Sequence, residues 1–178
     1  MTYAEFQKGV EKNRYLYQRG YGLEHLDPYN GMDAYLQVIQ LLESLNNVEE
    51  QAKQSKLAIT YHQLGYVAQE LREWEEARNY YQQALSIYIE YSDRYSQART
   101  YYCLGMVAEA TGNPGDGKNY YLQALQIWVE FNDEYWIGNS LQNLQRFYQE
   151  NPDDSILEGV ASIFNTTVED IRSDFNDS

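Results

Sequence analysis

A forty-residue repeat constrains this chain more than any other feature of its sequence. Residues 58–97 align without a gap on residues 98–137, and the two segments share seventeen identical residues. Internal repetition at such a period is typical of small supersecondary units that bury their apolar faces against their neighbours. The whole chain has 178 residues, which suits a short array of repeats better than two full domains.

The identical residues are spaced as they would be on a helix. Steps of three and four residues place each set on one helical face. Gly65 and Ala84 would let two helices approach closely, with Tyr81 filling the space beside them. Each repeat therefore predicts an antiparallel helix pair, and the chain an all-α fold. The first set is Tyr61, Leu64, Gly65 and Ala68, recurring as Tyr101, Leu104, Gly105 and Ala108; the second is Asn79, Tyr80, Tyr81, Gln83, Ala84 and Leu85, recurring as Asn119, Tyr120, Tyr121, Gln123, Ala124 and Leu125.

These residues carry a family resemblance. Tyr61-x-x-Leu64-Gly65-x-x-Ala68, followed by Ala77-x-x-x-Tyr81-x-x-Ala84, resembles the tetratricopeptide repeat signature. The forty-residue period is similar to the long-helix variant of kinesin light chain and Pins-type scaffold proteins. The sequence departs from the family pattern in three places. Tyr61 and Tyr101 stand where the family has Trp, Gly117 of the second repeat stands where the first repeat has Ala77, and the proline at the end of the family's repeat is missing.

The resemblance implies a right-handed α-solenoid of antiparallel helix pairs. Residues 1–178 would form a single domain. Its clear repeats are 58–97 and 98–137, flanked by a degenerate N-terminal helix pair at 1–55 and a degenerate C-terminal pair with a capping helix at 138–178.

Weaker patterns predict the N-terminal pair. We expect Tyr35 and Val38 to take the packing roles of Tyr81 and Ala84. The predicted elements are a first helix at Thr2–Gly20, a turn at Asp27–Gly31, a second helix at Gly31–Asn47 and a longer connection near Glu49–Lys56.

The C-terminal pair is predicted in the same way. Trp136–Glu150 predicts a first helix, and Ser155–Glu158 and Thr166–Glu169 match capping boxes that would open two further helices. Proline is costly inside a helix, and we expect all three prolines in turns: Pro28, Pro114 and Pro152.

Motifs for cofactors are weak. Gly112–Asn119 nearly matches a phosphate-binding loop, but Asn119 stands where a magnesium-ligating hydroxyl is needed, and no strand precedes it, so we expect a turn. His25 and His62 lack Cys or carboxylate partners at metal spacing. Cys103 has no second cysteine, which fits a reducing compartment. We expect no cofactor, no metal and no catalytic residue, hence no enzyme.

Charge excludes further classes of partner. The net charge is −14, so a phosphate backbone or an anionic membrane would be repelled. Residues 156–175 superficially resemble a helix-turn-helix, yet the second helix offers Arg172 alone against three carboxylates. A helix pair that seals the end of the array is the better interpretation. We expect a cytoplasmic protein without nucleic-acid or membrane partners.

The resemblance places partner binding on the concave face lined by first helices. Tyr66, Tyr102 and Met106 would be the apolar anchors, with Arg99 and Arg146 as charged contacts. The alternative is that these rings only cover the inner helix surface and bind no specific peptide. The groove residues implied by the family are Ile59, His62, Tyr66, Gln69, Arg99, Tyr102, Met106, Glu109, Asn139, Gln142 and Arg146.

The favoured function is a non-catalytic module that binds a peptide or protein segment in this groove. Two alternatives stay open: a scaffold that self-assembles into a homo-oligomer, or a fragment or subunit of a larger signalling or enzymatic protein. Neighbouring acids such as Glu75 and Glu76 diverge on a helix and indicate solvated charges rather than a catalytic pair.

Overall fold

The computed structural model describes residues 28–45 and 49–177, and in these residues every regular element is a helix. Turns of two or three residues join most of them. The predicted all-α class of packed helix pairs is confirmed. The helices are α1 Pro28–Ser44, α2 Glu50–Glu70, α3 Trp74–Glu90, α4 Arg94–Ala110, α5 Pro114–Phe131, α6 Glu134–Glu150, α7 Asp154–Phe164 and α8 Val168–Asp177.

The chain divides into two compact units, Met1–Ile87 and Tyr88–Ser178. The boundary falls inside α3 rather than in a linker. The division of the domain into residues 1–55, 58–97, 98–137 and 138–178 stays a prediction.

One type of turn ends the helices of the repeats. After α2 the N–H of Glu73 donates to the carbonyl of Ala68 at 2.8 Å, and Arg72 lies in the left-handed region with φ 61°. This is the Schellman pattern, which satisfies carbonyls left without partners at a helix end. In the second unit Ser92, Gly112 and Asn132 take the equivalent positive-φ place. Only one of the four is glycine, so a search for glycine alone would miss most of these helix ends.

The N-terminal boundaries differ from the prediction. Thr2–Gly20 lies outside the described residues. Asp27–Gly31 was expected as a turn, but α1 begins at Pro28, because proline's fixed φ suits the first position of a helix. The long connection predicted near Glu49–Lys56 is also wrong, since α2 begins at Glu50. The residues there are good helix formers, and Gln54 donates to the Glu50 side chain at 2.7 Å.

Two predicted caps are displaced. Helix α7 is capped by Asp153, whose side chain accepts from the N–H of Ser155, so Ser155 is not the cap. The cap of α8 is Thr167 rather than Thr166. Thr167 Oγ1 accepts from the N–H of Asp170 at 3.1 Å, and Asp170 Oδ2 accepts from the N–H of Thr167 at 3.3 Å. That reciprocal pair is a capping box in which Asp takes the place of Glu.

The prolines also lie closer to helices than expected. Pro114, like Pro28, is the first residue of a helix, and Pro152 alone lies in a connection. The N–H at the first helical position makes no hydrogen bond within the helix, so proline, which lacks this N–H, does not destabilise the helix there.

In the first unit, a glycine and a tyrosine set the distance between α2 and α3. A Cβ added at Gly65 would lie 2.7 Å from the ring of Tyr81, which is fully buried. The apolar stripe of α1 packs on α2 nearby. Tyr35 and Val38 pack against a cluster of Ile39, Leu42 and Leu45 with Leu57 and Leu64. They are only half-buried, so the deepest residues of α1 are Ile39, Leu42 and Leu45.

The second unit repeats this arrangement. A Cβ at Gly105 would lie 2.7 Å from Tyr121, whose ring also packs on Phe147. Helices α7 and α8 extend the core with an apolar stripe, and Gln145 and Gln149 both donate to the Phe175 carbonyl. The helix pair with helix-turn-helix character therefore packs its apolar side into the core. The buried cluster is Tyr121, Leu125, Leu144, Phe147, Tyr148, Ile156, Leu157, Val160, Ala161, Ile171 and Phe175.

We predict that Gly105→Ala destabilises the protein by about 1–2 kcal/mol. The added methyl would collide with a buried ring that has no room to move, and this cost exceeds the gain in helix propensity. The measurement is the free energy of unfolding in urea.

Gly138→Ala is the matched control. Gly138 lies inside α6, and a Cβ added there would have no atom within 4 Å, so alanine should stabilise the helix by about 0.5–1 kcal/mol. Equal effects from the two substitutions would contradict the steric argument.

Candidate protein-binding surface

In the first unit, two of the four expected groove residues expose apolar area on α2. Ile59 is 43% exposed and Tyr66 is 37% exposed. Gln69 is half-buried because its Oε1 accepts a hydrogen bond from the Tyr81 hydroxyl at 3.1 Å. The accessible part of this face is therefore Ile59 and Tyr66.

His62 differs from its expected role as a polar groove residue. It is 8% exposed, and its ring packs edge-on against Tyr81 with centroids 5.3 Å apart. Forty residues later, Tyr102 packs edge-on against Tyr121 at the same 5.3 Å. The position is thus used for packing in both repeats, and in the first repeat it offers a partner little area.

In the second unit, side chains join the faces of α4 and α6. Asn143 Nδ2 donates to the Tyr102 hydroxyl at 3.0 Å, and Arg146 Nη1 lies 2.6 Å from Glu109 Oε1. Arg146 also contacts Asn143 Oδ1 at 3.4 Å and lies 5.1 Å above the Phe147 ring centroid. These contacts hold two first helices side by side and fix the side chains between them.

Glu109 connects this surface to the core. Its carboxylate accepts from the Tyr121 hydroxyl at 3.3 Å, as Gln69 does from Tyr81. Burial first, and then the Glu109 charge, raise the pKa of Tyr121 far above its ordinary value. The hydrogen bond to Glu109 also raises the pKa of the Arg146 guanidinium. The positive charge of Arg146 is therefore already balanced by Glu109 within the unit, so Arg146 is poorly suited to bind an acidic ligand.

The remaining predicted residues of this unit lie on the same two helices. Arg99 and Gln142 are exposed, and Met106 is 39% exposed. Asn139 is half-buried and donates to the Tyr135 carbonyl at 2.7 Å. Met106 lies four residues after Tyr102 and three before Glu109, so all three share one face of α4.

Sequence reasoning missed Asn143. It lies four residues after Asn139 and three before Arg146, the spacing of a shared helical face, and that was a usable signal. The partner of Asn143 could not be inferred, because its contact with Tyr102 joins two different helices.

The phosphate-loop resemblance of Gly112–Asn119 has a structural explanation. Gly112, with φ 74°, ends α4, and Pro114 begins α5, so the segment is the expected turn. Lys118 Nζ lies 2.7 Å from Asp153 Oδ2 and 2.8 Å from Ser155 Oγ. The lysine thus supports the N-terminus of α7. Within the described residues, no group of three or more His, Cys, Asp or Glu side chains is arranged to hold a metal ion.

Comparisons with known proteins agree with this geometry. Residues 56–128 match the family model of the tetratricopeptide repeat. The resemblance to tetratricopeptide repeats is confirmed. Such repeats serve in general as protein-interaction modules and are typically non-catalytic.

The fold has a counterpart among solved structures. The crystal structure of BtubC (BKLC) from P. vanneervenii superposes with a TM-score of 0.63 at 18% sequence identity, over 90% of this chain and 71% of that chain. At this identity the similarity concerns the fold alone. A comparison with curated proteins finds no match. Among the helices of residues 28–45 and 49–177, none has the length and apolar character needed to cross a membrane.

We predict that the Lys118–Asp153 pair makes stability depend on acid pH. Hydrogen bonds from Lys118 and Ser155 lower the pKa of Asp153 to about 2. Because this pKa is lower in the folded state than in the unfolded state, the ionised Asp153 stabilises the fold at pH values above about 4, its pKa in the unfolded state. This stabilisation is lost as the pH falls from about 4 to about 2. Asp153→Asn should cost about 0.5–1 kcal/mol at pH 7, because the pair is half exposed.

The check is urea unfolding of both proteins across that pH range, where the difference should shrink toward pH 2. Glu158→Gln, which changes an exposed residue of α7, is the control, and its effect on the free energy of unfolding should not vary with pH in this way. A constant difference for Asp153→Asn would contradict the assignment.

Proposed function

We propose that this protein is a non-catalytic adaptor that binds a peptide or protein segment on its first-helix faces. The observation that carries the proposal is the exposure of apolar side chains at one repeat-equivalent position. Tyr66 on α2 is 37% exposed and Met106 on α4 is 39% exposed, forty residues apart in the sequence. Apolar anchors surrounded by polar groups are the usual source of interface energy.

The polar surroundings of Met106 support this choice. Tyr102, Asn143, Glu109 and Arg146 are held by hydrogen bonds and an ion pair within the second unit. Side chains fixed before binding lose little conformational entropy when a partner arrives. A fixed frame around an exposed thioether is suited to a specific segment with an apolar side chain.

Arg99 and Gln142 complete the proposed contacts. Both are exposed on helices that carry the fixed pairs, and both can hydrogen-bond a partner's backbone. The proposed binding residues of the second unit are therefore Arg99, Met106 and Gln142, with Tyr102 and Arg146 acting mainly to shape the surface. Within the first unit, Tyr66 is the repeat-equivalent contact. A cytoplasmic location and the exclusion of nucleic acids stay predictions from the acidic charge and the single cysteine.

We predict that Arg99→Ala/Met106→Ala/Gln142→Ala, three changes within the second unit, abolishes partner capture without unfolding the protein. All three side chains are exposed, so their truncation should change stability by less than about 1 kcal/mol. Tyr102 is left intact because its ring packs on Tyr121 and Trp136. The measurement is affinity capture from the source lysate, followed by calorimetric titration of the captured protein.

The matched control is Gln82→Ala/Asn119→Ala/Gln126→Ala, three exposed residues on second helices. This control should retain the wild-type partners. If the first-helix variant retains them too, the proposed face is wrong. If the protein recovers only itself, and its mass by light scattering rises with concentration, the self-assembling scaffold becomes the better account.

A further inference from the structure

A second group of exposed apolar side chains in the Tyr88–Ser178 unit lies at helix ends. It is formed around the turns that follow α3 and α5. Tyr135 is 71% exposed, Ile89 51%, Phe131 49% and Tyr95 38%. We call the three exposed rings, Tyr95, Phe131 and Tyr135, the aromatic edge. Contiguous apolar exposure of this kind marks interaction sites more often than scattered single residues do.

The rings of the aromatic edge are held in a continuous series. Tyr95 packs edge-on against Phe131 with centroids 5.4 Å apart, and against Trp128 at 4.9 Å. Trp128 is fully buried and stacks on Trp136 at 5.7 Å, and Tyr135 packs edge-on against Trp136 at 5.2 Å. A buried indole thus anchors the exposed rings, which are ordered before any ligand arrives.

Hydrogen bonds and an ion pair join the two turns beneath these rings. Arg94 Nη2 contacts both oxygens of Glu130, at 2.9 and 3.1 Å. The Tyr95 hydroxyl donates to Asp133 Oδ2 at 2.9 Å, while Oδ1 of the same carboxylate caps α6 by accepting from Trp136 N–H. The edge is therefore a fixed surface rather than two separate loops.

The charge of this surface is strongly negative. Residues 89–95 and 130–136 contain five carboxylates and one arginine, and that arginine is paired with Glu130. The whole unit has fifteen Asp and Glu against five Lys and Arg, and four of the five bases form ion pairs with acids of the same unit. Glu90 and Glu134 are exposed, and Glu134 immediately precedes Tyr135. An acidic partner would be repelled, and a purely apolar one would strip water from these carboxylates.

We propose that the aromatic edge binds an arginine-bearing, net-positive segment of a partner protein. A guanidinium would stack on the face of Tyr135 or Phe131 and donate to the exposed carboxylate of Glu134, since Glu130 is already paired with Arg94. Arginine fits better than lysine, because its planar group stacks on rings and bonds carboxylates in a bidentate manner. Tyr95 and Tyr135 lie on the same helices as Arg99 and Gln142, but the proposal is carried by the rings and carboxylates of residues 89–95 and 130–136 and does not depend on the function proposed above.

The test uses two probes, acetylated tetra-arginine amide and acetylated tetra-lysine amide, titrated into the full ¹⁵N-labelled chain. We expect amide and indole shift changes concentrated in residues 89–95 and 130–136. Tetra-arginine should bind about two- to fivefold more tightly than tetra-lysine, the ratio that one stacked guanidinium at an exposed site gives. Both affinities should fall with added salt.

Variants separate stacking from plain charge attraction. Phe131→Ala/Tyr135→Ala should remove the preference for arginine and leave tetra-lysine binding unchanged, whereas Tyr135→Phe should retain the preference. Glu134→Gln should weaken both probes. Phe164→Ala removes a ring of similar exposure, 39%, from α7 and should change neither affinity. Thermal melting followed by circular dichroism confirms that each variant is folded.

Two results would overturn the proposal. One is equal affinity for both probes, and the other is a set of shifts spread over the whole acidic surface, which would indicate diffuse attraction only. The Met106→Ala variant should bind the probes as the wild type does. The aromatic edge and the first-helix face can therefore fail independently.

Discussion

Each repeat depends on a tyrosine ring lying against a helix that has no side chain at that point. Gly65 and Gly105 leave their helices bare where Tyr81 and Tyr121 pack, and a single methyl group there would approach the ring to 2.7 Å. Since both rings are fully buried, this contact sets the separation of the two helices in each pair. The packing of the surrounding apolar residues then follows from that separation. The edge-on rings of His62 and Tyr102 complete the same arrangement.

The same tyrosines extend the packing contact to the surface. Their hydroxyls donate to Gln69 and to Glu109, twelve residues earlier in each case. Glu109 in turn holds Arg146 on the next first helix of its unit. A buried contact, a polar bridge and a surface ion pair thus form one connected series. Such a series orders side chains before a partner binds, which lowers the entropic cost of recognition.

The repeat pattern was sufficient to predict the helix pairs, because identical residues at helical spacing carry the packing contact itself. Boundaries were less predictable. The Schellman ends rely on Arg72, Ser92 and Asn132 in the left-handed region, residues that give no strong signal. The caps at Asp153 and Thr167 were displaced by one or two positions, since several adjacent residues could cap. The pairing of Asn143 with Tyr102 depends on two helices coming together, which one helix's periodicity does not encode.

The hydrogen bonds from the Tyr81 and Tyr121 hydroxyls distinguish surface positions that tolerate substitution from positions that do not. Residues 69 and 109 must supply a hydrogen-bond acceptor to a buried phenol, because an unpaired buried hydroxyl costs about 1–3 kcal/mol. Positions 59, 66, 99 and 106 have exposed side chains and do not supply the acceptor for a buried phenol. A library intended to give this scaffold new ligands should therefore randomise those four positions and keep an amide or carboxylate at 69 and 109. The residues that determine ligand binding and the residues that maintain the fold would then occupy different positions of the same helix.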